Sequence, residues 1–185
     1  MAHKLRELTI AGYKSIRDQR VELRDINILI GANGAGKSNF VSAFRLLHDI
    51  VAGQLAVHVA RQGGANKLLH LGRRVTPQMS FKLNFEPNGY ELVLAPTVSD
   101  TLYFMSESAW FRGTEYDTPY QVPLGAGHAE ATLTEASQQG GVAQHVFESV
   151  TSWRVFHFHD TSDAAPCKLK QQINDNLTLR GDAQN

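Results

Sequence analysis

The chain has 185 residues, 42% of them apolar, and Lys+Arg and Asp+Glu both number 18, so its formal net charge is zero. That length holds one domain, or one domain with an inserted subdomain, and overall charge advertises no nucleic-acid-binding face, although a local patch is compatible with it. The single cysteine, Cys167, excludes a disulfide framework and a Cys-based zinc site, and reads as a small residue filling space in a protein of the reducing cytoplasm.

In chain order, residues 4–12 alternate, with Leu5, Leu8 and Ile10 apolar among Arg6, Glu7 and Thr9, and turn at Gly12. A second alternating segment, 15–23, buries Ile16, Val21 and Leu23. Ile26-Asn27-Ile28-Leu29-Ile30 reads as a short buried strand. It runs into Gly31-Ala32-Asn33-Gly34-Ala35-Gly36-Lys37-Ser38, which satisfies G-x-x-x-x-G-K-[ST] at every fixed position. Phe40, Ala43, Phe44, Leu47 and Val51 then recur at helical spacing, which predicts a helix from Lys37 to about Val51 that stops at Gly53.

Strand, glycine loop and helix together make an anion cradle. Glycines leave no Cβ between the backbone N–H groups and a phosphate, and the helix N-terminus adds its dipole. Lys37 is then expected to reach the β- and γ-phosphates, and the Ser38 hydroxyl to complete the shell of a Mg²⁺ ion.

Beyond the helix, Leu55–Ala60 either prolongs the helical region or begins a new one, Gly63-Gly64 breaks it, and Leu68–Gly72 is a short apolar run of open type. Met79, Phe81, Leu83 and Phe85 alternate with polar residues, Tyr90–Leu94 forms the partner strand after a Pro87-Asn88-Gly89 turn, and Thr101–Phe111 reads as a third. This predicts an antiparallel β subdomain over about 78–112. Residues 112–124, with Pro119 and Pro123, read as loop. A short helix follows Gly127, Val142–Ser152 is a helix, and Trp153–Asp160 is a strand. The remainder reads as loop with a weak helix near Leu169–Ile173. His157, His159 and Asp160 sit at a strand end, where ordinary polar lining outweighs a metal site because no further ligand is identifiable. No stretch of about 18 apolar residues occurs and the N-terminus has no apolar signal core, so no membrane span is expected.

Three stretches carry a family resemblance: Leu8-Thr9-Ile10-Ala11-Gly12-Tyr13-Lys14-Ser15-Ile16, then Ile26–Ile30, then the loop followed by Asn39. Together they resemble the N-terminal half of an SMC/RecF-type ABC ATPase head, among the prokaryotic AAA/ABC-like ATPases related to the overcoming-lysogenisation-defect proteins. The resemblance implies an α/β P-loop NTPase sandwich, with a mixed sheet holding the phosphate loop and an antiparallel β subdomain beside it. It implies ATP and Mg²⁺ as ligands. The binding residues are Asn33, Gly34, Ala35, Gly36, Lys37, Ser38 and Asn39, joined by Lys14 and Ser15. Lys37 is the catalytic residue and Ser38 the metal ligand.

The resemblance further implies self-association through ATP-sandwiched heads, DNA or an effector nuclease as partners, and a role in DNA repair or phage defence. The family's signature helix, its Walker B Asp-Glu strand, its switch histidine and a Q-loop glutamine are not found. Residues 1–185 therefore read as the N-terminal part of the ATPase domain, its C-terminal half apparently absent, and inactive in hydrolysis alone. The alternatives are a nucleotide-binding scaffold without turnover and, disfavoured by the three leading strands, a small-molecule kinase.

Overall fold

The computed structural model describes residues 3–113 and 118–155. The chain divides into one compact unit, Met1–Trp153, and a second, Arg154–Asn185; the elements below belong to the first. The predicted strand at Trp153–Asp160, the His157/His159/Asp160 group, Cys167 and the helix near Leu169–Ile173 lie wholly or mostly outside the described residues.

Six strands form one sheet in the order β2-β1-β3-β4-β5-β6, every pair antiparallel. They are β1 (Glu7–Tyr13), β2 (Ile16–Glu22), β3 (Met79–Asn84), β4 (Asn88–Pro96), β5 (Leu102–Phe111) and β6 (Tyr120–Gly125). The helices are α1 (Lys37–Val51), α2 (Leu55–Arg61), α3 (Ala65–Leu68), α4 (Leu133–Ser137) and α5 (Gly141–Thr151).

Alternation explains the strands. Leu8 and Ile10 of β1, Phe81 and Leu83 of β3, and Tyr90, Leu92 and Leu94 of β4 are all fully buried, while the residues between them are more exposed or face the other side. They share one core with Ala43, Leu46, Leu47 and Ile50 of α1 and Val146 and Val150 of α5. Each large apolar side chain so buried contributes about 1.5–3 kcal/mol relative to exposure.

Three expectations change. First, β3, β4 and β5 fall where the alternation puts them, but β3 pairs with β1, so the meander continues the N-terminal hairpin in a single sheet. Second, residues 112–124 are not all loop, because β6 is a strand. It is the last in the sheet, and Pro123 is tolerated there since an edge strand has one unpaired side. Third, the stretch 26–30 is not a buried strand. Ile26, Ile28, Leu29 and Ile30 are 82%, 78%, 45% and 91% exposed, and among the described residues the stretch makes no backbone pairing. The reason is topological: β1 already has β2 on one side and β3 on the other, so the described sheet offers the stretch no place beside β1.

The most polar point of the core is Glu107, whose side chain is fully buried on β5. It accepts hydrogen bonds from Tyr90 Oη (2.6 Å), Thr132 Oγ1 (2.7 Å), Thr132 N (2.9 Å) and Leu133 N (3.1 Å), with His128 Nε2 at 2.8 Å. A buried carboxylate is tolerable only when its lone pairs are taken up in this way. The cluster ties β4, β5 and the start of α4 together. Burial, then the charge of Glu107, pushes the Tyr90 hydroxyl well above its ordinary pKa, so it remains a donor.

Candidate phosphate-binding site

The candidate site is assembled from the β1–β2 hairpin tip and the start of α1. Tyr13 pairs with Ile16, which leaves Lys14-Ser15 as a two-residue turn with Lys14 at φ 47°. The tip is held from behind: Lys14 N donates to Leu68 O (2.7 Å) and His70 Nδ1 lies 2.8 Å from Lys14 O. From the front, Tyr13 Oη and Ser42 Oγ are 2.9 Å apart, and Asn39 Nδ2 donates to Ser15 Oγ at 2.8 Å. Burial pushes the Tyr13 pKa up to about 12, opposed by the Ser42 bond.

The loop itself turns on two glycines, Gly34 at φ 84° and Gly36 at φ 92°. Both values belong to the left-handed region that glycine occupies without strain. A Cβ on Gly36 would stand 2.9 Å from Ser15 Oγ, whereas one on Gly34 would meet nothing within 4 Å. Gly36 is the N-cap residue of α1, and the first turn holds no acidic residue and no side-chain cap. The first N–H groups of a helix have no intrahelical acceptor. Here they open onto the loop with the positive end of the helix dipole uncompensated.

Lys37 Nζ donates to Gly31 O (2.6 Å) and Ala32 O (2.8 Å), so its ammonium is folded over the loop's own carbonyls. Open N–H groups at the helix start, a cation at the rim and a glycine, Gly36, where a Cβ would crowd Ser15 of the hairpin fit a polyphosphate. Ser38 lies in the first turn of α1, and no cluster of three or more His, Cys, Asp or Glu side chains suited to a metal occurs among the described residues. The Ser38 hydroxyl is a hard oxygen donor of the kind that Mg²⁺ takes alongside phosphate oxygens and water.

Of the two hairpin residues singled out from the sequence, the structure brings Ser15 to the loop and turns Lys14 elsewhere. Lys14 Nζ donates to Gln62 Oε1 (3.1 Å) and lies 3.4 Å from Ser42 Oγ and 5.4 Å from the Tyr13 ring centre. Burial, then the nearby Arg45 charge, lowers its pKa. Asn33, Gly34, Ala35, Gly36, Lys37, Ser38 and Asn39 form one continuous arc with Asn39 joining it to the hairpin.

A cleft of about 480 Å³ extends from the loop along β2, lined among others by Arg17, Gln19, Val21, Leu29, Lys37 and Phe40. Sequence reading missed the β2 part of this wall. Its residues alternate weakly because β2 is an edge strand, and most of them are exposed.

Among the described residues no helix is long and apolar enough to cross a membrane. No curated protein matches the chain. Residues 4–71, the segment that contains β1, β2, the phosphate loop, α1, α2 and α3, match the model of an AAA ATPase domain. This segment is thus similar to an ATP-binding P-loop ATPase of that type, and the similarity spans the whole of the site built above.

Proposed function

We propose that this chain is the ATP-binding part of an SMC/RecF-like ATPase head. It holds Mg-ATP through Asn33 to Asn39 and hydrolyses it only when further elements complete the site. The observation that carries this reading is the contrast within residues 26–39. The loop and helix start form a finished phosphate cradle, while the apolar stretch leading into it stands uncovered. Backbone N–H groups carry most of the phosphate contact and Lys37 leaves its carbonyl partners to add a point charge. Ser15 fixes the loop against the hairpin. Mg²⁺ supplies charge neutralisation on the β- and γ-phosphates when bound.

Hydrolysis also needs an oriented water and a base. Asp18 is the one carboxylate lining the cleft, and it sits on an exposed edge strand with no hydrogen-bonded partner to orient it among the described residues. Completion by a signature element and a Walker B carboxylate pair, in ATP-sandwiched self-association, supplies what is missing. DNA repair or phage defence, with DNA or an effector nuclease as partner, is the setting that the SMC/RecF resemblance favours. The second reading, nucleotide binding without turnover, rests on the same uncompleted site.

The test is ATP binding and phosphate release by the purified chain, wild type against Lys37→Ala. We expect ATP affinity to fall about 100-fold in the variant, as for loss of a charge-assisted contact, with phosphate release near background in both. Robust turnover that depends on Lys37 would refute the half-site reading, and Asp160 and Asp18 would then be the carboxylates to replace.

A further inference from the structure

Away from the phosphate loop, the charges of this neutral chain are unevenly placed. Between Asp49 and Glu86 the sequence carries Arg61, Lys67, Arg73, Arg74 and Lys82 and no carboxylate side chain. Lys82 is paired with Glu91 at 3.2 Å. Arg73 and Arg74 are exposed and have no carboxylate partner among the described residues. They stand on the turn that leads from α3 into β3.

The same turn forms one side of a groove of about 440 Å³, and the turn from β4 to β5 forms the other. Its lining includes Arg73, Pro77, Pro96, Val98, Tyr103 and Met105. Val98 is 96% exposed and Met105 44%. Exposed apolar side chains scattered singly are ordinary, but here they converge on one concavity. Both walls are fixed before anything binds. In the first, Arg73 N donates to Asn66 Oδ1 (2.9 Å) and Thr76 N to Gly72 O (2.9 Å). In the second, Thr97 N donates to Thr101 O (2.9 Å), and Thr97 Oγ1 lies 2.7 Å from Thr101 Oγ1. Arg73 Nη1 reaches Thr97 O at 3.4 Å and joins the two turns. A preformed groove loses little freedom on binding.

Among the described residues, Arg73 is the one charged side chain of the lining. Asp100, which follows Val98 in the second turn, is directed at α3, where its carboxylate accepts from Asn66 N at 2.9 Å. An apolar concavity with an exposed guanidinium at its rim complements an apolar side chain with a carboxylate beside it, because a guanidinium can hold a carboxylate through two parallel hydrogen bonds. Nucleic acid fits less well. It is held by several cations along a phosphate track and by flat rings for stacking, whereas this lining has one cation and one aromatic ring.

We propose that this groove is a docking site for an acidic peptide segment of a partner protein. The segment sets an apolar side chain against Val98 and Met105 and a carboxylate on Arg73. The groove shares no lining residue with the cleft at the phosphate loop, so docking there does not require nucleotide.

The experiment measures fluorescence anisotropy of a short labelled peptide of leucine and phenylalanine among aspartates. Its controls are the same peptide with lysines for the aspartates, the same peptide with serines for the apolar residues, and a single-stranded DNA oligonucleotide. We expect the wild-type chain to bind the acidic peptide about tenfold tighter than either altered peptide. Arg73→Gln should abolish the preference for aspartate over lysine, and Arg73→Glu should reverse it. Val98→Ser should weaken the aspartate and lysine peptides alike and leave their ratio unchanged. All three substitutions are at exposed positions, so urea midpoints should match the wild type and show that each variant is folded. No binding of the acidic peptide, equal binding of the aspartate and lysine peptides, or a preference that survives Arg73→Gln would overturn the assignment. DNA binding that exceeds that of the acidic peptide and is lost in Arg73→Glu would give this face to nucleic acid and equally overturn it.

Discussion

The sheet and the phosphate-loop arm are built from the same kinds of residue and end in opposite states. In the sheet, the core-facing apolar side chains of β1, β3 and β4 are buried, and the buried carboxylate of Glu107 finds donors from two parts of the chain, Tyr90 and residues 128–133. In the arm, residues 26–30 carry three isoleucines that are 78–91% exposed and a leucine that is 45% exposed, and the helix start that follows the loop has no side-chain cap. The Glu107 cluster is satisfied by what the described residues supply. The arm is arranged for something added, an anion at its end and cover along its length. Stability should therefore live almost wholly in the first region and function in the second.

The largest effect should come from breaking the satisfied region at its most connected point. Glu107→Ala removes the acceptor of Tyr90, Thr132 and Leu133 at once, in a place closed to water. Each buried donor left unpaired costs about 1–3 kcal/mol. We expect urea unfolding to show a loss of about 3 kcal/mol or more, with α4 the first segment to lose amide-exchange protection. A loss below about 1 kcal/mol would mean that water or other groups replace the carboxylate.

A smaller effect should appear with alkali. Tyr13 has a folded pKa of about 12, held up by burial, against an ordinary value near 10. Below pH 10 the hydroxyl is protonated in both folded and unfolded chains and its contribution is complete. Between pH 10 and about 12 the unfolded chain releases the proton and the folded one keeps it, so stability falls as pH rises. The decline attributable to Tyr13 should be on the order of 2–3 kcal/mol. In Tyr13→Phe the curve over that interval should flatten, leaving the part due to Tyr90, whose pKa is raised in the same direction. An unchanged slope in Tyr13→Phe would show that the hydroxyl is not protected.

The smallest effect should be in the arm. Ile28→Thr replaces a side chain that is 78% exposed, so the unfolding free energy should move by no more than about 0.5 kcal/mol. A loss above about 1.5 kcal/mol in the chain by itself would show that the stretch is already covered and would dissolve the contrast between the two regions.

How far the residues announced all this follows from which interactions are local. The alternation of Met79, Phe81 and Leu83 and the helical spacing from Phe40 to Val51 describe single elements, and the elements formed where those patterns lie. The glycine loop was readable because its chemistry is written into eight consecutive residues. The stretch 26–30 misled because an apolar run specifies that burial is favourable but not that a neighbour exists. β6 was hidden by Pro123, which argues against a central strand but not against an edge. Glu107 gave no signal at all. Its partners are 17 to 26 residues away, and meeting them depends on register.

The turn at Lys14 has a mechanical consequence. Its backbone is fixed on both sides, through N to Leu68 and through O to His70, at the end of α3. One residue on, Ser15 is joined to Asn39 and stands where a side chain on Gly36 would intrude. The hairpin tip is therefore a bracket bolted to α3 at one end and to the mouth of the phosphate loop at the other. A shift of Leu68–His70, far along the chain from any phosphate, arrives at Gly36 through a single stiff turn with almost nothing compliant in between.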